Sequence, residues 1–512
     1  MGDDLRYEEN ILVFHLDKID DIYDIKNLIP YFSGMEKKFY DFVLLLQLPI
    51  TVVLENTYVD KDYRDCYYHF YASKHFEVLK NCQRITLFQG DFSKWDFTEE
   101  KHKLLQDSII GTITIRPIKG GAWGRTLIDP RKLHQHEFYV RTTKFNFILN
   151  GLSFTIRAYP FASQDGEMMK CAETSIWTIL NYFGTRYSEY RTVLPSEIIS
   201  TVGVSSMQRV LPSQGLDYLQ KSNLLKKFGF SPKVYSREIY KNEKTKRMFH
   251  YYVESGIPIA ISLAGHSTVC IGHARRNYHT DSISDLMTVT INGYRFIDSA
   301  DLHNEYVMID DNQYPYKLEI YDQFSIHEES KELVYFTVPL YKRIFLEANA
   351  AKRIFDRVIE ELFSKPSFTV VQKHMDAINP GKSKEIVERV FLTSSRKYKA
   401  YRINKASTNI EKAYYSNLLF PKFIWVMELS DSETYESDKN TVCGEIVLDA
   451  TSSITSGSES IIMIRIGKIF SFRMPNESFE HLKRRIFEKR GVQETFLQYN
   501  NNLLKGGNHA ES

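Results

Sequence analysis

Cysteine is scarce in this chain, and no C-x-x-C pair occurs among its 512 residues; the five cysteines are Cys66, Cys82, Cys171, Cys270 and Cys443. So few and so widely separated thiols argue against a disulfide framework and against a four-thiolate zinc site. The N-terminus lacks a basic segment followed by an apolar core, and the longest apolar stretch, around residues 42–53, is too short to cross a bilayer. We therefore expect a cytoplasmic protein with no membrane partner.

An excess of charge of one sign is also absent. Lys and Arg total 66 against 64 Asp and Glu, which gives a formal net charge of +2. Without an overall basic field, nucleic acid is not an expected partner. The pair His134 and His136 lies at strand spacing but lacks an evident third ligand, so neither a metal ion nor another cofactor is expected.

Apolar and aromatic side chains are plentiful. Apolar residues make up 43% and aromatic residues 14% of the chain, including 33 Tyr and 33 Phe, which is enough for several globular cores. The length suggests about three domains. We place an N-terminal α/β accessory domain at 1–150, a central domain at 151–340 and a C-terminal α/β accessory domain at 341–512. The central domain has helical patterns followed by strand patterns, which predicts the α+β class.

Hydrophobic periodicity locates the main elements of this central domain. A helix is predicted from Cys171 to Gly184, with the glycine as its C-terminal stop, because apolar residues recur at helical spacing. Apolar runs predict strands after His266 and before Asp310. Elsewhere we predict helices at Tyr63–Lys80, Tyr341–Ser364 and Glu477–Tyr499.

One combination of residues suggests chemistry. Cys171 begins its predicted helix, where the positive end of the helix dipole favours a thiolate. His266 follows Gly265 and opens a strand, the position that a general base needs to face the sulfur across a cleft. Asp310 closes the run YVMID, where its carboxylate could fix the orientation of the imidazole. The order Cys171, His266, Asp310 therefore predicts a catalytic triad.

These segments resemble the papain-like cysteine peptidases, and they are most similar to the leader-cleaving peptidase domains of bacteriocin exporters and their soluble relatives. The matching runs are CAETSIWTILNYFG from Cys171, GIPIAISLAGHSTVCIGHARR around His266 and YVMIDDNQYPY around Asp310, with Gln164 ahead of the cysteine. The resemblance covers about residues 155–325. It implies a papain-like central fold, a Cys-His-Asp triad, and a role for the Gln164 side chain in the oxyanion hole.

The function that this resemblance implies is cleavage of a peptide or isopeptide bond in a protein or peptide substrate. A bacterial defence or regulatory system is the setting that fits such a peptidase. The flanking domains would bind a regulatory protein. Several alternatives stay open. Asp311 could replace Asp310, and His273 could replace His266. The triad could transfer an acyl group, as a transglutaminase does, instead of hydrolysing a bond. The fold could also serve only as an interaction module.

Overall fold

The protein is described by a computed structural model, which covers residues 10–29, 32, 34–118, 121–206, 209–237, 239–240, 242–276, 286, 288–322, 333–364, 371, 373, 375–376, 384–437, 439–453, 459–473, 487–488 and 492–507. It contains both helices and strands throughout this length, which confirms the α+β class. No helix in the described part of the chain has the length and apolar character that a membrane span needs.

The elements follow one another in mixed order along the chain. The helices are α1 (Ile22–Leu28), α2 (Glu36–Val43), α3 (Lys61–His69), α4 (His102–Ser108), α5 (Cys171–Arg186), α6 (Pro195–Ser205), α7 (Tyr218–Lys227), α8 (Asn242–Glu254), α9 (Ala348–Ser364), α10 (Ser395–Lys405) and α11 (Asn409–Asn417). The strands are β1 (Ile11–Leu16), β2 (Ile50–Tyr58), β3 (Cys82–Gln89), β4 (Ile109–Arg116), β5 (Ala122–Ile128), β6 (Phe138–Val140), β7 (Thr143–Leu149), β8 (Leu152–Ala158), β9 (Phe230–Ser236), β10 (Ile259–Leu263), β11 (His266–Ala274), β12 (Val289–Ile291), β13 (Tyr294–Asp298), β14 (Glu305–Ile309), β15 (Lys317–Ile320), β16 (Leu333–Tyr341), β17 (Glu385–Ser394), β18 (Phe423–Asp431), β19 (Thr441–Val442), β20 (Gly444–Asp449), β21 (Ile461–Ile466), β22 (Ile469–Phe472), β23 (Phe487–Glu488), β24 (Phe496–Leu497) and β25 (Leu504–Gly506).

Three large sheets organise the described chain. The first sheet has the antiparallel order β1-β2-β3-β4-β5. The second has the order β15-β14-β11-β10-β16-β9, and β6 pairs with β11 and with β25. The third runs β12-β13-β17-β18-β20-β21-β22-β23, with β13 and β17 parallel. Two small ribbons, β7-β8 and β19-β24, lie outside these sheets.

The sheets exchange strands across the predicted domain boundaries. Strands β6 and β25 lie outside 151–340 but extend the second sheet, whereas β12 and β13 lie inside this range and belong to the third sheet. Apolar cores are shared as well, since one core contains Trp123, Ile176 and Val269 together. The boundaries near 150 and 340 stay predictions, and the regions that they separate pack as neighbours.

Four predicted helices differ from the structure. The helix expected to stop at Gly184 continues to Arg186, and the glycine is there because the backbone at Arg191 passes too close for a Cβ atom. The helix expected over Tyr63–Lys80 is α3, which ends at His69, and the helix expected over Tyr341–Ser364 is α9, which begins at Ala348 because β16 continues to Tyr341. The helix expected over Glu477–Tyr499 is wrong where the chain is described, because β23 and β24 lie there; residues 477–486 and 489–491 are outside the described part.

Candidate active site

The predicted nucleophile lies at the start of a long buried helix. Cys171 is the first residue of α5, a 16-residue helix whose next dozen residues are buried. The helix forms because apolar side chains recur on several faces and no proline interrupts them. Cys171 is partly exposed, whereas the other cysteines of the chain are buried. It is therefore the one thiol of the five that combines a helix N-terminus with access to solvent.

The histidine and the carboxylate reach the same end of the second sheet. His266 opens β11, and Asp310 directly follows β14, the antiparallel neighbour of β11. A turn between β10 and β11 precedes the histidine, and Gly265 adopts a left-handed φ of 74° there, which glycine tolerates without a steric penalty. Because neighbouring antiparallel strands begin and end at the same edge, the two side chains meet.

The three side chains form a connected set. His266 Nε2 lies 3.0 Å from Asp310 Oδ2, and the imidazole is close enough to the Cys171 thiol for the thiol to raise the pKa of the ring. Burial disfavours the charged imidazole, but the interactions with Asp310 and Cys171 outweigh burial and raise the pKa of His266 to about 10. The imidazole is therefore cationic at neutral pH.

The two adjacent carboxylates differ in their surroundings. Asp311 Oδ1 is 3.8 Å from His266 Nε2, beyond hydrogen-bonding distance, so Asp310 is the carboxylate that orients the ring. Among the described residues, neither side-chain oxygen of Asp311 has a hydrogen-bond partner. Burial and the charge of Asp310 raise the pKa of Asp311 to about 6, while the hydrogen bond from His266 helps to hold the pKa of Asp310 below its usual value against burial.

Gln164 lies beside this set, in contact with the loop that carries the aspartates. Its side-chain Nε2 donates to Asn312 Oδ1 at 3.1 Å. Its backbone carbonyl accepts from Arg116. The amide is thus engaged by the loop after β14, and the oxyanion role that the resemblance implies for Gln164 stays a prediction.

His273, the alternative base, lies at the other end of β11. Its Nε2 is 2.9 Å from Glu254, and its side chain is buried. It therefore belongs to a different cluster from Cys171 and Asp310.

Ligand atoms of His266, Asp310 and Asp311 lie within 4.8 Å of one another, close enough for a metal ion. Among the described residues, His134 and His136 belong to no such group.

Sequence reasoning missed two lysines that approach the site. Lys221 of α7 donates to Ser262 and Ser267 beside the β10-β11 turn, and burial lowers its pKa to about 8 although the nearby Cys171 raises it. It shares a helix face with the buried Leu224, so a lysine on an apolar face was the available signal. Lys38 of α2 donates to the Asp311 carbonyl at 2.7 Å, a contact between distant segments for which the sequence holds no local signal.

The loop that leads into Cys171 is held by one buried carboxylate. Asp165 Oδ1 accepts hydrogen bonds from the backbone N–H groups of Glu167, Met168 and Met169. This arrangement fixes the turn that delivers the chain to the first residue of α5. Asp165 is in turn 3.8 Å from Arg116, so the first sheet supports the approach to the nucleophile.

Comparison with known proteins gives no relative for this chain, so the geometry of the site is the evidence for its chemistry. No protein-family model matches the chain, and no curated protein matches it. The arrangement of Cys171, His266 and Asp310 contains a thiol, an adjacent base and a carboxylate that orients the base. That order of contacts is what nucleophilic catalysis by cysteine requires.

Proposed function

We propose that the protein is a cysteine hydrolase that cleaves a peptide or isopeptide bond with Cys171, His266 and Asp310, in a papain-like central domain. The observation that carries the proposal is the imidazole of His266, which contacts Asp310 through Nε2 and is close enough to Cys171, at the start of α5, for the thiol to raise the pKa of the ring. The nucleophile, the base and the orienting group are thereby present in one connected set.

The proposed reaction follows from these contacts. The Cys171 thiolate attacks the carbonyl carbon, and the C–N bond breaks as the imidazolium of His266 gives its proton to the leaving amine. Water, deprotonated by His266, then attacks the thioester and releases the carboxylic acid and the free thiol. The backbone N–H of Cys171, with the Gln164 amide as a second donor, stabilises the oxyanion. A peptide substrate rests on the family resemblance.

Thiol labelling tests the nucleophile. We expect iodoacetamide at pH 7 to modify Cys171 much faster than the other cysteines, which are buried; burial raises the pKa of Cys443, for example, to about 12. In His266→Ala and Asp310→Asn the rate at Cys171 should fall by about tenfold or more, because the stabilising cation is lost or weakened. Peptide mapping by mass spectrometry gives the rate at each thiol.

The four buried cysteines are internal controls in this experiment. Equal labelling of all five thiols, or an unchanged rate at Cys171 in His266→Ala, would contradict the proposed triad.

The bond that is cleaved can be found by comparing protein termini in extracts treated with wild-type protein or with Cys171→Ala. New N-termini that appear only with wild-type protein support hydrolysis of peptide bonds. Amide products formed with added amines, without new termini, would instead assign acyl transfer to the same triad. Fast labelling of Cys171 with neither product would leave an interaction module as the better description.

A further inference from the structure

A second cluster of titratable side chains lies at the end of β11 opposite His266. Glu254, His273, His303 and Glu436 each place one potential ligand atom within 4.8 Å of the others, and all four residues are buried. They come from the end of α8, from β11, from the turn after β13 and from the loop after β18. The cluster therefore joins elements of the second and third sheets.

Both histidines of the cluster are held in the orientation of metal ligands. His273 Nδ1 lies 2.8 Å and His303 Nδ1 3.3 Å from the same acceptor, the carbonyl oxygen of Ala274. When Nδ1–H donates to a backbone carbonyl, Nε2 carries the lone pair that binds a metal. Nε2 of His273 is 2.9 Å from Glu254 Oε1, and Nε2 of His303 is 3.5 Å from Glu436 Oε1.

Both glutamates are anchored through the oxygen that faces away from this centre. Glu254 Oε2 is bound by Arg389, with its Nη2 at 2.7 Å, and Glu436 Oε2 accepts from the backbone N–H of Arg276 at 2.9 Å. The Oε1 atoms remain directed at the histidines. Glu436 has a left-handed φ of 54°, a backbone conformation that residues other than glycine adopt only rarely.

A third imidazole, that of His250, lies beside the cluster. His250 is fully buried, and among the described residues its Nε2 has no hydrogen-bond partner; it lies 3.9 Å from Glu254 Oε1. The His250 ring stacks on that of His303, with centroids 4.8 Å apart. Nδ1 of His250 is 3.2 Å from the Tyr306 hydroxyl, so the ring is held in place at the edge of the cluster.

We propose that Nε2 of His273 and His303 and Oε1 of Glu254 and Glu436 bind one divalent transition-metal ion of the zinc type. Two imidazole nitrogens and two carboxylate oxygens are ligands that zinc accepts, and four protein ligands complete a tetrahedral, structural site. The ion replaces the proton that otherwise lies between His273 and Glu254, and that proton is released to solvent. The bound ion fastens the second sheet to the third.

The competing interpretation is a metal-free polar network. In that network His273 is an imidazolium paired with Glu254, and the Tyr435 hydroxyl, 3.1 Å from His303 Nε2, donates to that nitrogen. The two interpretations differ in what zinc does to the protein, because only a metal site gains stability from the free ion.

Zinc binding by the full-length chain tests the proposal. Protein stripped with a chelator is dialysed against micromolar ZnCl₂, and its zinc content and melting temperature are measured. We expect about one zinc ion per chain and a rise in melting temperature on zinc addition. His303→Gln and Glu436→Gln should bind zinc at least about tenfold more weakly, with circular dichroism showing that both variants are folded.

His266→Ala is the matched control, because His266, Asp310 and Asp311 are the other potential ligand group. This variant should keep its zinc and its zinc-dependent melting temperature. Three results would overturn the proposal: wild-type protein that neither retains zinc nor responds to it, wild-type affinity in both His303→Gln and Glu436→Gln, or loss of zinc in His266→Ala alone. The test does not involve Cys171, so its outcome is independent of the proposed hydrolase activity.

Discussion

Two adjacent aspartates, identical in chemistry, are placed in opposite electrostatic situations. Asp310 accepts a hydrogen bond from His266 and from the backbone N–H of Asn312, and its pKa lies below the usual value although burial opposes this. The carboxylate of Asp311 is buried and has no hydrogen-bond partner among the described residues, and its pKa is raised to about 6. One residue along the chain thus separates a stabilised carboxylate from a destabilised one.

We expect Asp311→Asn to raise the free energy of unfolding at pH 8 by about 1 to 3 kcal/mol. The pKa of Asp311 is about 6 in the folded state and near its ordinary value in the unfolded state. Ionised Asp311 therefore destabilises the folded protein, and this destabilisation reaches its full size only above pH 6. The gain from the substitution should therefore shrink below pH 6 and vanish near pH 4. Urea unfolding at several pH values measures it.

Asp310→Asn is the matched control for this prediction. Its folded-state pKa is lowered, so its charge contributes stability above the unfolded pKa, and the substitution should lower the free energy of unfolding at pH 8. The same sign for both variants at pH 8 would contradict the contrast between the two carboxylates.

At the scale of elements, α5 depends on a glycine that the sequence suggests is a helix stop. A Cβ atom on Gly184 would lie 2.2 Å from the backbone carbon of Arg191 and 2.3 Å from the nitrogen of Thr192. The glycine therefore allows the segment after α5 to cross the last turn of the helix that carries Cys171. Glycine is needed at position 184 because the backbone of Arg191 and Thr192 passes close to it, and not because the helix ends there.

Gly184→Ala should lower the free energy of unfolding by about 2 kcal/mol or more, because backbone cannot yield to a Cβ as a flexible side chain can. Gly203→Ala in α6 is the matched control, since the atom nearest to its Cβ, on Val210, is 3.6 Å away. Gly203→Ala should leave the free energy of unfolding unchanged or raise it by up to about 1 kcal/mol, because alanine has the higher helix propensity. Urea midpoints of the two variants compare them directly, and similar losses in both would refute the packing argument.

At the scale of the whole molecule, the C-terminal segment ties the second and third sheets together. Strand β25 pairs with β6, which in turn pairs with β11. Just before β25, the buried Asn502 donates to the carbonyls of Glu254 and Leu392 and accepts from Thr393, while its own carbonyl accepts from Arg141. A single side chain thus links α8 to β17, in two regions that the predicted boundaries separate.

Asn502→Ala should destabilise the protein by about 2 to 4 kcal/mol, because it leaves two buried carbonyls without this donor. Asn501, its exposed neighbour, provides the control, and Asn501→Ala should change the free energy of unfolding by less than about 0.5 kcal/mol. Thermal unfolding followed by circular dichroism distinguishes the two. A loss of equal size in both variants would mean that Asn502 does not join the sheets.

A ladder of buried ion pairs extends this connection through the third sheet. Arg389 bridges Glu254 and Glu428, and Arg402 bridges Glu428 and Glu445. Each of these charges is buried, and each has an opposite charge within hydrogen-bonding distance, which is the condition for burying an ion. The ladder ends at Glu254, a member of the proposed metal site, so that site lies where the two sheets meet.

The sequence alone determined where α5 and β11 begin and where β14 ends to within one residue: it predicted a strand directly after His266, which is the first residue of β11, and a strand that ends at Asp310, which directly follows β14. These features depend on local periodicity and turn residues such as Gly265, and they place Cys171, His266 and Asp310 at the ends of their elements. Tertiary structure alone decided which carboxylate faces the imidazole, because Asp310 and Asp311 are equivalent in a local pattern.

The same limit applies to every contact between distant segments. Three features depend on sheet order and on packing between different elements of the fold. They are the position of Lys38 beside Asp311, the convergence of Glu254, His273, His303 and Glu436, and the shared strands β6 and β25. No periodicity in one chain reports such neighbours, since the free energy that favours them comes from burial and hydrogen bonding in the assembled fold.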